Sequence, residues 1–428
     1  MNWSRTIIAL GLGCALFSVS STAAASALTP EEALGKELFF DRISQPAKSQ
    51  SCASCHLPDA GWTGGIAGAN LHGAVYRGAD PKRFGNRKPP SSAYATFSPI
   101  FHFNGTEFIG GNFWDGRATG EVLGNPAADQ ALGPFLAPVE QNMPSKMAVC
   151  ERVRDAKYAG LFEEVWGPGS LDCSDPGYQA TYDRIGLSIA AYEASPEVNQ
   201  FTSKFDVYWA LCLADGNDAE ACGLAEGEKA VLDPMGVLSD QEFDGLIEFG
   251  EYCAACHASH VPGPDNLPPL FTDFTFENIG VPRNPDNPFY DMDEVFLDNG
   301  TAINPVGDAF IDFGLGDFLR TRTEWGDMAG ANDGKMKVPT VRNVDQRPGR
   351  GFPKAYMHNG AFTSLEEVVH FYNTRDVPEA GWPPPEVDRN VNRDLLEGVP
   401  LGNLELDQEA EDAIVAFLKT LTDGYIDR

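Results

Sequence analysis

Apolar residues return at helical spacing in four places along the chain. Thr29-Pro30-Glu31-Glu32 reads as a capping box with proline at the first helical position, and Leu34, Leu38 and Phe39 follow it. Ser239-Asp240-Gln241-Glu242 repeats that pattern and leads into Leu246, Ile247 and Phe249. Tyr182, Ile185, Ile189 and Tyr192 form a third stripe, and Ile414, Phe417, Leu418 and Leu421 a fourth. The pattern predicts two related halves, each opening with a capped helix and closing with an amphipathic one. Pro/Gly-rich runs such as Val261 to Pro269 and Val281 to Pro288 read as loops between them. One further apolar run, Ile7 to Val19, follows Arg5 and ends at the small residues Ala25-Ser26-Ala27, the pattern of a cleaved export signal. It is too short and too interrupted by Gly and Ser to span a membrane comfortably, and no later run of about 20 apolar residues exists. The expectation is a periplasmic protein, cleaved after about Ala27, with no stable membrane span.

Length and charge narrow this further. The 428 residues suffice for two to three domains at about 150 residues each. The 44 Gly and 31 Pro exceed an average share, which points to long irregular connections. Acidic residues outnumber Lys and Arg by 62 to 31, a formal net charge of −31. Such a surface repels a polyanion, so nucleic-acid binding is excluded.

The cysteines carry the chemistry. One of the nine, Cys14, lies in the export signal. Four others form two copies of one pattern, Cys52-Ala53-Ser54-Cys55-His56 and Cys253-Ala254-Ala255-Cys256-His257. C-x-x-C-H is the attachment signature of c-type haem: two thiols bond the macrocycle and the adjacent histidine ligates the iron. A redox dithiol or half a zinc site needs no histidine after the second cysteine, nor the pattern twice in an exported chain. Two covalently bound haem c groups are therefore expected. Cys150, Cys173, Cys212 and Cys222 remain, with three possible pairings. The export route favours disulfides, and Cys150–Cys173 with Cys212–Cys222 would close the shortest loops. A helix before C-x-x-C-H and another packed across it is the minimal haem-wrapping unit. The expected fold class is mainly α: two cytochrome c-like haem domains with long irregular loops, over residues 28–200 and 201–428 behind the signal at 1–27.

From about residue 30 to 424 the chain resembles the bacterial di-haem cytochrome c peroxidase and MauG family. The resemblance rests on Phe113-Trp114-Asp115-Gly116-Arg117, then Gln130-Ala131-Leu132-Gly133-Pro134 with Glu140 ten residues after Gln130. Phe271-Thr272-Asp273-Phe274 and Asn278-Ile279-Gly280 come next, followed by Val338-Pro339-Thr340-Val341-Arg342-Asn343-Val344. Tyr356-Met357-His358-Asn359-Gly360 and Leu365-Glu366-Glu367-Val368-Val369 complete it. The resemblance implies that the haem held by Cys52, Cys55 and His56 reacts with hydrogen peroxide, and that Glu140 and Gln130 form the pair over it. A positioned carboxyl can move the proton that peroxide cleavage requires. Pro134 matches a pocket wall limiting access, and Trp114 the tryptophan between the haems. The haem held by Cys253, Cys256 and His257 would handle electrons. Tyr372 stands where the usual peroxidases place a methionine and MauG-like enzymes a tyrosine, with Met357 as the alternative distal ligand. Tyrosinate oxygen favours ferric iron and a lower potential than thioether sulfur.

Two positions depart from the pattern. Family members commonly bind calcium between the haems through an Asn side chain and two carbonyls, and Lys88 stands at that Asn, with Pro353 and Ala355 at the carbonyls. Either an ammonium takes the cation's place or Asn86 reaches in. His72, sixteen residues after His56, stands where some peroxidases carry a resting-state ligand, with different residues around it. The resemblance implies a periplasmic enzyme that reduces peroxide at the N-terminal haem with electrons passed through the C-terminal one. A small cytochrome c or cupredoxin would be the donor, or a partner protein would be oxidised at a distance as by MauG. The alternative is a di-haem electron carrier without peroxidase chemistry.

Overall fold

The computed structural model describes residues 27–396 and 399–425. The export-signal reading, Cys14 included, lies outside the described residues apart from Ala27. Six α-helices fill the first half: α1 (Pro30–Phe40), α2 (Ala67–Leu71), α3 (Pro126–Leu136), α4 (Lys146–Arg154), α5 (Ala159–Trp166) and α6 (Gly177–Glu193). The second half contains α7 (Lys204–Ala214), α8 (Ala219–Leu224), α9 (Lys229–Leu232), α10 (Asp240–Tyr252), α11 (Leu315–Arg320), α12 (Leu365–Thr374) and α13 (Gln408–Lys419). Strands occur as three short antiparallel ladders: β1 (His102–Phe103) with β2 (Phe108–Ile109), β3 (Phe276–Glu277) with β4 (Met336–Lys337), and β5 (Asp394–Leu396) with β6 (Val399–Pro400). Helix makes up 39% and strand 6%, so the class is mainly α, with long irregular connections.

Both expected capping boxes form. Thr29 accepts from the Glu32 N–H while Glu32 bonds back to the Thr29 N–H, and Ser239 and Glu242 do the same for α10. From these caps the two halves run in register. Gly35 lies six residues after Thr29, and a Cβ there would stand 1.8 Å from the Ser188 carbonyl oxygen of α6. Gly245 lies six residues after Ser239, and its Cβ would stand 1.9 Å from the Ala413 carbonyl oxygen of α13. Each half is thus built on one close helix crossing that only glycine permits.

Two apolar cores surround the crossings. Leu34, Leu38 and Phe39 pack with Tyr182, Ile185, Ile189 and Tyr192 in one. Leu246 and Phe249 pack with Ile414, Phe417, Leu418 and Leu421 in the other. Two details differ from the sequence expectation. Ile247 faces solvent because Leu246 and Phe249 occupy the inward face of α10. Leu421 is fully buried but lies past the end of α13 at Lys419. Disulfides join Cys150 to Cys173 and Cys212 to Cys222, the pairing that closes the shortest loops. A third cluster, including Phe101, Phe108, Phe276 and Leu315, ties the first ladder to β3 and α11.

The crossings set a prediction. Gly245→Ala forces a methyl group into a carbonyl and should destabilise the protein by about 3 kcal/mol, the upper range for overpacking. Gly160→Ala, on α5 with nothing within 4 Å of its Cβ, should be neutral or slightly stabilising. Urea unfolding of both variants decides the matter: equal midpoints would show that the crossing is not a constraint.

Candidate haem sites

Cys52–Ser54 form a single 3-10 turn, and the His56 N–H donates to the Cys52 carbonyl at 2.9 Å, placing thiols and imidazole on one short loop. His56 Nδ1 lies 3.2 Å from the Trp62 carbonyl and 3.1 Å from Ser92 Oγ. With Nδ1 engaged, Nε2 is the nitrogen left for a metal. Burial lowers the His56 pKa to about 4, so the ring is neutral, as a ligand must be. The cavity it lines includes Ser92, Asn112, Phe113, Trp114, Gln130 and Glu193.

Gln130 projects from α3, and Pro134 one turn on shares its face. Pro134 has no N–H, so the Gln130 carbonyl lacks its usual helical donor. The helix ends at Leu136, and the Glu140 N–H donates to Ala137 O at 3.0 Å while Glu140 O accepts from Ala79 N–H at 2.7 Å. Burial raises the Glu140 pKa above the usual carboxylate range, and the positive charge of Arg117 partly opposes it. Glu140 is within electrostatic reach of Cys52 and Cys55. Gln130 and Trp114 therefore share the His56 cavity, while Pro134 and Glu140 flank it at the end of α3. His72 is exposed at the end of α2 and is not among the residues lining either cavity.

In the second site α10 runs directly into the motif, with Cys253 as its C-cap. His257 Nδ1 lies 3.1 Å from the Phe271 carbonyl, again leaving Nε2 available. The Phe271 loop is held by Arg342, which is fully buried: Nε donates to Pro269 O at 2.7 Å and the guanidinium pairs with Asp206 at 2.8 Å. The cavity wall is largely aliphatic. On α12, Leu365, Val368, Val369 and Tyr372 line it at successive helical turns. Met357 lines it too. Tyr372 is within electrostatic reach of Cys253 and Cys256, and burial pushes its phenol up.

Trp114 lines both cavities, as do Lys337, Val338 and Pro339. Its Nε1 donates to Lys88 O at 2.8 Å, which holds the indole, and its carbonyl accepts from the Lys337 N–H at 2.8 Å, which holds the main chain. Lys337 Nζ donates to Ser98 Oγ at 2.7 Å and Gly111 O at 2.6 Å. Sequence reading passed over Lys337, although it directly precedes the Val338-Pro339-Thr340 motif. It passed over Ser92 and Glu193 as well, which carry no pattern of their own.

These residues fit haem c. All four motif thiols are outside disulfides, and burial raises them, Cys55, Cys253 and Cys256 to about 12, so they are not activated redox thiolates. His358 Nε2 is buried without a partner at the second cavity, where a polar group on a ligand's edge would satisfy it.

The sequence model of the family described as di-haem cytochrome c peroxidase matches residues 29–211. The methylamine utilization protein MauG of Paracoccus denitrificans is 33% identical over 404 residues, covering 91% of this chain and 88% of that protein. The cytochrome-c peroxidase IdrP2 of a Pseudomonas strain is 24% identical, covering 99% and 94%. Among solved structures, the diheme peroxidase BthA of Burkholderia thailandensis superposes with a TM-score of 0.68 at 27% identity, over 94% of this chain and 88% of that one.

Two intact motifs predict two covalent haems per chain. Haem stain should survive denaturing electrophoresis, and the pyridine haemochrome should count two. Stain that runs with the solvent front, or a count of one, would contradict the site as described.

Proposed function

The chain belongs to the MauG-like di-haem cytochrome c peroxidase family, and on that premise we propose that it reduces hydrogen peroxide in the cavity of His56 with electrons arriving by way of the cavity of His257. It is an oxidoreductase of the di-haem peroxidase type. When bound, haem c supplies the redox-active iron at which peroxide is reduced. Residues 28–200 would form the peroxide-reactive domain and residues 201–428 the electron-transfer domain, with residues 1–27 removed on export to the periplasm.

The observation that carries this reading is that Gln130 lines the first cavity while Glu140, whose pKa burial raises, lies within electrostatic reach of Cys52 and Cys55. In this role Glu140 moves a proton from the inner to the outer peroxide oxygen, Gln130 orients the oxidant with its amide, and Pro134 narrows the approach. A pure electron carrier has no use for a proton-holding carboxyl at that place. Trp114 is the side chain through which electrons would cross from one cavity to the other. Cys52, Cys55 and His56 would hold the first group, and Cys253, Cys256 and His257 the second, with Tyr372 as a further candidate ligand to its iron. The donor would be a small cytochrome c or cupredoxin, or a partner protein whose side chains are oxidised at a distance.

Two outcomes are expected. Glu140→Gln keeps both haems and the fold but slows the reaction with peroxide at least about a hundredfold. It also removes from the pH profile an inflection lying above the usual carboxylate range. Stopped-flow traces indistinguishable from wild type would place Glu140 outside the chemistry. The second concerns Tyr372. The as-isolated ferric protein should react with peroxide without prior reduction, and Tyr372→Met should make it depend on a reductant. A wild type inert until half-reduced would remove Tyr372 from the distal position.

A further inference from the structure

Behind Trp114, which lines both cavities, lie two buried lysines whose amines bond only to neutral oxygens. Lys88 is 7% exposed and Lys354 3%. Lys88 Nζ donates to Thr63 Oγ1 at 2.9 Å and to Pro89 O at 3.2 Å. Lys354 Nζ donates to the carbonyls of Asn343 and Gln346, both at 2.9 Å. The two are close enough to interact: the Lys88 charge adds to burial in pushing Lys354 well below its ordinary value. Lys88 itself is lowered by burial to about 8 and so keeps its proton at neutral pH.

A buried ammonium without a carboxylate partner is costly. In a chain with twice as many acids as bases it is not there for want of a counter-ion. Hydroxyl and carbonyl oxygens are, however, the donors that hard cations take. Calcium, which the resemblance implies here, does not fit the residues present. Position 88 supplies donors instead of an acceptor. The Pro353 carbonyl, one of the two expected ligands, already accepts from Asn70 Nδ2 at 2.9 Å. Lys88 is also a junction of the wall: its carbonyl accepts from Trp114 Nε1 and its N–H donates to the His358 carbonyl at 2.7 Å. Thr63 follows Trp62, whose carbonyl faces His56.

We propose that the Lys88 ammonium is a tethered replacement for the inter-haem divalent cation, so that this protein holds the wall between its two cavities without calcium. The inference rests on the di-haem reading for what the wall separates, but its test does not depend on peroxidase activity. The purified holoprotein is dialysed against EGTA, then given calcium. Metal content, ferric absorption spectrum and melting temperature are followed at each stage. The expected result is no stoichiometric calcium and no change in spectrum or melting on either treatment. Stoichiometric calcium whose removal alters the spectrum or lowers the melting temperature overturns the proposal while leaving the peroxidase reading intact. Lys88→Met should melt several degrees lower with a changed ferric spectrum, whether or not calcium is present. If it folds and matches wild type in both, Lys88 is not the cation of this wall.

Discussion

Two helix backbones in contact are the constraint from which the rest of each half follows. Helices normally keep about 8–10 Å between axes because side chains intervene. At Gly35 against Ser188, and at Gly245 against Ala413, nothing intervenes. The residues one turn further along the partner helices, Tyr192 and Phe417, also correspond, each with its Cβ within 3 Å of the position a glycine Cβ would take. The aromatic cores close over both crossings, and in the second half α10 delivers Cys253 directly at its C-cap. A rigid crossing thereby fixes where the second C-x-x-C-H loop begins. The imidazole then meets a backbone carbonyl, Trp62 in one half and Phe271 in the other, with the Ser92 hydroxyl beside His56 as well.

The wall between the cavities is held in the same way, by main-chain groups. Trp114 bonds through Nε1 to the Lys88 carbonyl, so its ring cannot turn without breaking that bond, while its own carbonyl accepts from the Lys337 N–H and holds its main chain. Arg342 fixes the Phe271 loop through Pro269 and Asp206. Arg87 joins Asp115, one residue from Trp114, to Asp312 in the lining of the second cavity. Breaking a buried pair of this kind by removing one partner costs about 3–5 kcal/mol, because a charge is left unpaired. Rigidity here also has a use, since an electron path depends on fixed distances.

Much of this was legible in the residues. The capping boxes, the two C-x-x-C-H motifs and the four apolar stripes each follow a local rule that acts over a few positions, and the disulfides close the shortest available loops. Gly35 and Gly245 were hidden in plain view, since their equal distance from the caps emerges only when the halves are aligned on Thr29 and Ser239. Lys88, Lys337 and Lys354 were not legible as a group. Lysine is exposed by default, and the meeting of Lys88 and Lys337 at Trp114, with Lys354 near Lys88, is a property of how distant loops meet. Leu421 shows the limit of periodicity, which marked the residue as core without seeing that the helix had ended. Ile247 shows the reverse, an apolar residue on a stripe's wrong side.

The two halves start from one frame and differ in what each frame encloses. Around His56 the wall brings amide, hydroxyl and carboxyl groups from Gln130, Asn112, Ser92 and Glu193. Around His257 it brings Leu365, Val368, Val369, Val341 and Leu418, with Tyr372, and also the carboxyl groups of Glu277, Asp312 and Glu386. Carboxyl groups thus stand in both walls, and what sets the second apart is its larger set of aliphatic side chains together with the Tyr372 phenol. Trp114 is common to both walls. The duplicated crossing explains why one chain can hold two such unlike sites: the frame is kept by two glycines and two caps, which leaves the loops between them free to differ.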